Sequence, residues 1–108
     1  MVREKFLDKT EKEREFKFLK RVENRQPLKY AVIMHNDDYT TQDFVVMVLV
    51  EFFQKTRNEA QKLMLAVHIQ GRAKIGIYIK DVAISKINLV ISCACKNGMP
   101  LVLTAEHE

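Results

Sequence analysis

The chain alternates between apolar and polar positions in ways that separate strands from helices. Tyr30-Ala31-Val32-Ile33-Met34 is an unbroken apolar run rich in strand formers. The polar cluster His35-Asn36-Asp37-Asp38 ends it as a turn. Thr40 stands three residues before Asp43, a capping-box-like start in which Asp replaces the usual Glu or Gln. Phe44, Val45, Val48, Leu49, Phe52 and Phe53 then recur at helical spacing, which predicts a first helix to about residue 54. Thr56 and Glu59 form a proper capping box for a second helix. Its stripe is Ala60, Leu63, Met64 and Val67, with His68 on the same face and Gly71 as a left-handed stop. Ala73, Ile75, Ile77 and Ile79 alternate with Lys74, Gly76, Tyr78 and Lys80, the period of a strand. Asp81 is placed to cap a third helix over 82 to about 96, with Ile84, Ile87, Val90, Ile91 and Ala94 inward. Gly98 and Pro100 close that helix, and Leu101-Val102-Leu103-Thr104 reads as a last strand. The order β-α-α-β-α-β with three strands predicts an α+β fold, a three-stranded antiparallel sheet with three helices packed on one face.

Residues 1–28 follow another rule. Phe6, Leu7, Phe16, Phe18, Leu19 and Val22 are scattered among Lys, Arg and Glu, too thin a face to pack firmly. Pro27 ends the stretch. It reads as a flexible charged extension ahead of a folded core at 29–108. The charge is divided in the same way. Residues 1–29 carry ten Lys or Arg against six Asp or Glu, whereas 30–108 carry eight of each, so the net +4 belongs to the leading segment. A neutral core argues against a folded nucleic-acid surface and leaves only loose contact of the tail with RNA or membrane. A length of 108 residues allows one domain at most. No run approaches the roughly 20 apolar residues of a membrane span, and no apolar signal core is visible, so a cytoplasmic protein is expected. Cys93 and Cys95 are too few and too close for a disulfide framework, and on a helix they diverge too far to hold one metal.

No catalytic set accompanies these elements: no Gly-rich phosphate loop, no nucleophile elbow, and no pair among His35, His68 and His107 at metal-ligand spacing. A binding module without metal or cofactor is expected, rather than an enzyme. Two features carry possible chemistry. Asn36-Asp37-Asp38 is either a solvated link or a carboxylate and an amide displayed at a strand-to-helix corner, where they accept hydrogen bonds from a cation. His68 is either a satisfied core histidine or a polar group at the rim of an apolar pocket.

Taken together, Asn36-Asp37-Asp38-Tyr39-Thr40, Phe44-Val45 and Leu63-Met64-Leu65-Ala66-Val67-His68-Ile69-Gln70-Gly71 closely resemble the ClpS adaptor family. The resemblance covers about residues 29 to 106. It implies a monomeric adaptor that binds substrates through a free, large hydrophobic N-terminal residue (Leu, Phe, Tyr or Trp). It also implies delivery to the AAA+ unfoldase ClpA or ClpC and its peptidase ClpP. By resemblance, Asn36, Asp37 and His68 hold the substrate's α-amino cation. Asp38, Thr40, Val45, Met64, Val67 and Leu101 match the pocket wall, and Thr41 and Gln42 complete it. Asp81 and Lys86 resemble the unfoldase-docking surface. The family's Pro-Met after the turn threonine is Thr41-Gln42 here. An amide where that Met lines the pocket mouth implies an altered residue preference. The leader is expected to enter the unfoldase pore and aid transfer. A rival reading is a small ribosome- or RNA-associated domain acting through the basic tail; an enzyme built on His68 and Asp37 lacks a nucleophile.

Overall fold

The architecture is that of a computed structural model which describes residues 10–14, 17 and 28–108. Within the leading extension, residues 10–14 and 17 are helical and exposed; the rest of that segment, and with it most of the expected flexible tail, lies outside the described residues. The core runs β1 (Lys29–His35), α1 (Gln42–Phe53), α2 (Arg57–Gln70), β2 (Arg72–Ile79), α3 (Lys80–Lys96) and β3 (Val102–His107). The strands form an antiparallel sheet in the order β2-β1-β3. The predicted α+β order is therefore observed.

The central strand explains its own composition. Ala31, Val32, Ile33 and Met34 are all buried, because β1 has a neighbour on each side and is covered on both faces. Val32 and Met34 join the helices in one apolar core with Phe44, Val45, Val48, Leu49, Val67, Ile87, Val90 and Leu103. Ala31 and Ile33 point the other way. The ion pairs Arg72–Glu106 and Lys74–Glu108 join the two outer strands diagonally across β1 on that side. Their charges are half exposed, so they contribute little stability. Their hydrocarbon stems still screen the apolar strand beneath.

The alternation in β2 misleads. Val32 pairs with Gly76 but Ile33 pairs with Lys74, so Ile75 is an extra residue in a bulge. The bulge reverses which side chains face the helices. Ile75 is buried, but Ile77 and Ile79, expected inward, are 45% and 43% exposed, and Tyr78 packs against the core instead. Gly76 makes room for this: a Cβ there would meet the Tyr78 ring at 2.8–3.0 Å. The third helix is also rotated from expectation. It buries Ala83, Ile87, Val90 and Ala94, while Ile84 and Ile91 are exposed. A smaller residue at 83 lets the helix lie close to the sheet. Its N-cap is Ile79 with no side-chain bond; Asp81 sits inside the first turn, where its charge suits the helix dipole rather than capping it.

The first two helices form a short-linked antiparallel pair. Gln54 ends α1 in the left-handed region at φ 52°, and the Thr56–Glu59 capping box starts α2 with reciprocal 3.2 Å bonds. Gly71 ends α2 at φ 86°, its N–H bonding Val67 O at 2.9 Å.

Candidate functional site

Where β1 ends, the chain has to turn sharply before α1 begins, and Asp37 organises that turn. Its Oδ1 accepts the backbone N–H groups of Tyr39 (2.9 Å) and Thr40 (2.7 Å), and its Oδ2 accepts the Thr40 hydroxyl at 2.6 Å. Partial burial pushes the Asp37 carboxyl up, but the three bonds from Thr40 and Tyr39 outweigh it, so its pKa lies below the ordinary carboxylate value. Because Thr40 is committed to Asp37, it does not cap the helix as expected. Thr41 is the N-cap, accepting Phe44 N–H at 3.2 Å.

The other half of the site comes from the end of α2. The Asn36 N–H donates to the Gly71 carbonyl at 2.9 Å, tying the exit of β1 to the helix stop. His68, three residues earlier, is exposed in the last turn of α2. It is therefore not a core histidine, although it shares a helix with the buried Ala60 and Val67.

Between these segments lies a cavity of about 360 Å³, within the usual range for small-ligand sites. Asn36, Asp37, Asp38, Tyr39, Thr40, Thr41, Gln42, Val45, Met64, Val67 and His68 line it. The floor is apolar: Val45 and Val67 are buried and Met64 is half-buried. The rim is polar. Asn36, Asp38 and His68 are exposed, and their side chains make no hydrogen bond or ion pair among the described residues. Asp37 differs, since three of its roughly four acceptor positions are already taken. Gln42 is exposed at the mouth.

The structure thus gathers ten of the sequence-derived candidates around one hollow. Leu101 is buried in the core and does not line it. Tyr39 does, and its position inside the turn was the only signal of it. The two candidates on α3 lie apart from the cup. Asp81 is exposed. Lys86 Nζ donates to Phe52 O (2.8 Å) and Gln54 Oε1 (3.2 Å) and stands over the rings of Phe53 and Tyr78. It therefore closes the end of α1, where cations are favoured. Among the described residues no helix is long and apolar enough to cross a membrane.

Comparison with known proteins bears on the family and the fold. The family model described as "ATP-dependent Clp protease adaptor protein ClpS" matches residues 25–104. The ClpS adapter protein of Deinococcus radiodurans is 46% identical over 90 residues, covering 83% of this chain and 80% of that protein. That of Nitratidesulfovibrio vulgaris is 46% identical over 85 residues, covering 79% of this chain and 85% of that protein. The structure of Agrobacterium tumefaciens ClpS2 bound to L-phenylalaninamide superposes with a TM-score of 0.74 at 31% identity, covering 77% of this chain and all of that one. With matches of this extent to its sequence and its fold, the chain belongs to the ClpS family of Clp protease adaptors.

Proposed function

We propose that the cup captures the free N-terminal residue of a protein when that residue is large and apolar, and that the adaptor then presents the protein to a Clp unfoldase, ClpA or ClpC, working with ClpP. One observation carries this reading: polar groups with open hydrogen-bonding capacity, Asn36, Asp38 and His68, ring an apolar floor of Val45, Met64 and Val67. A protein N-terminus offers the complementary pair, an ammonium with a pKa near 8 next to a side chain. L-phenylalaninamide, bound by the Agrobacterium relative, carries the same two features. Asp38 is the carboxylate with open acceptors, so it takes the ammonium directly together with Asn36 and His68. Asp37 supplies charge and holds the turn.

The magnitudes are sufficient. Charge-assisted hydrogen bonds contribute about 1.5–3 kcal/mol each, and burying one large side chain contributes roughly 1.5–3 kcal/mol more. Micromolar affinity requires about −8 kcal/mol. It is reached only when the site is preformed, which the Asp37 turn and the Asn36–Gly71 tie favour.

The test is calorimetric titration with a short Phe-initiated peptide and its N-acetylated twin. Micromolar binding of the first and at least about 100-fold weaker binding of the second are expected, from loss of two or more charge-assisted bonds. Equal affinity for both would refute the reading. Delivery is tested separately, by ClpA- or ClpC-dependent degradation of a Phe-initiated substrate by ClpP with and without residues 1–25. Truncation should slow degradation and spare peptide binding. An RNA-associated role through the basic leader falls mostly on residues outside those described and gains no support from the cup.

A further inference from the structure

The first helix is apolar on nearly every side, from Phe44 through Val50 and again at Phe52 and Phe53. Such a helix is ordinarily enclosed. Here one stripe is not. Val46, Met47 and Val50 are only half-buried, and with Leu65 of α2 they line a second groove of about 600 Å³. This groove is larger than the cup and shares two lining residues with it, Gln42 and Met64. A wall one side chain thick, made by Gln42 and Met64, therefore separates an apolar groove from the hollow proposed to take the first residue.

We infer that the groove is a second subsite of the same peptide site, and that it takes a large apolar side chain from one of the substrate's residues 2–4. This rests on the reading of the cup given above. A bound chain has to leave the cup over its edge, and the Gln42–Met64 wall has apolar surface on its far side. An extended chain advances roughly 3.3 Å per residue and returns to the same side every second residue. One or two steps therefore carry a side chain across a wall of that thickness. Met47 and Met64 suit such a role, since unbranched thioethers repack around different occupants. The adaptor then reads a short apolar pattern rather than a single residue.

The experiment is a titration of the full chain with four peptides that share an N-terminal Phe. One carries Ala at positions 2–4, and the others carry a single Leu at position 2, 3 or 4. At least one Leu peptide should bind about fivefold to tenfold tighter than the Ala peptide, the gain from partly burying one Leu. Val50→Asn, outside the cup, should abolish that gain and leave the affinity for the Ala peptide unchanged. Leu65→Gln is the second variant should the first fail to fold. Four peptides binding within twofold of one another would overturn the inference, as would a Leu gain that survives both variants. A Leu gain that emerges only after residues 1–27 are removed would assign the groove to the chain's own leader instead. Failure of the Ala peptide itself to bind would count against the cup, so the two readings fail separately.

Discussion

Asp37 offers the sharpest test of how the cup works, because its two possible roles respond oppositely to one atom. If Asp37 acts by touching the ammonium, Asp37→Asn removes the contact's charge and weakens binding as much as Asp37→Ala. If it acts by locking the turn, Asn replaces it well. The amide oxygen still accepts the N–H groups of Tyr39 and Thr40, and the amide nitrogen donates to the Thr40 oxygen in place of the bond it now receives. What remains lost is long-range charge. At an exposed site, a unit charge 4 Å from another is worth about 1 kcal/mol in water, and less further away. Asp37→Asn should therefore weaken a Phe-initiated peptide by no more than about fivefold. Asp37→Ala removes all three bonds. At about 0.5–1.5 kcal/mol net for each bond, it should lower stability by roughly 1.5–4.5 kcal/mol and weaken binding more than tenfold as Asn36 and Asp38 lose their fixed places. Asp38→Asn has no turn to disturb and should weaken binding at least tenfold with an unchanged melting temperature. Calorimetry and thermal melts of the three variants decide the matter. Asp37→Asn falling as far as Asp37→Ala, with Asp38→Asn near wild type, would sink this division of roles.

The same carboxylate gives a pH signature. Its folded pKa is below its unfolded value of 3.8, so its stabilising contribution is complete above about pH 4 and is lost as pH falls through the folded pKa. Melts from pH 6 to 2.5 should show a shallower acid slope for Asp37→Asn than for wild type, and parallel slopes would contradict this. Lys86→Met removes two hydrogen bonds and two ring contacts at the end of α1. It should lower stability by about 1–2 kcal/mol without changing peptide affinity, so any docking defect of this variant has to be judged beside its melting curve. Gly71→Ala meets no neighbouring atom but forces alanine to φ 86°; a loss of about 1 kcal/mol is expected in denaturant titration. Gln42→Met should strengthen peptides beginning with Leu or Phe more than those beginning with Tyr, and an unchanged ranking across Leu, Phe, Tyr, Trp, Ile and Val would show that residue 42 does not set preference.

Much of this molecule was legible in its sequence, and the exceptions have physical causes. Element order followed from periodicity because each helix has an apolar stripe and β1 is apolar throughout. The Thr56–Glu59 box and the Gly71 stop were readable because caps are local. The inward face of β2 was not, since a bulge at Ile75 depends on register with β1 and leaves no mark on an alternating pattern. In α3, Ile84 and Ile91 fitted the helical period as well as Ala83 does, and only close packing on the sheet selects the smaller residue. At the site, the motif residues indicated a cup but not how Asp37 and Thr40 divide their bonds. Thr40 and Thr41 are chemically equivalent caps until the Asp37 carboxylate claims one of them.

The single main-chain bond between Asn36 and Gly71 has a consequence for how the protein comes to life. Its two ends lie on opposite sides of the whole helical hairpin, so they meet only after that hairpin has closed onto the sheet. A fragment that stops short of Gly71 therefore lacks the bond that ties the two halves of the cup together. A site built this way takes its final geometry from long-range closure of the chain rather than from either segment alone.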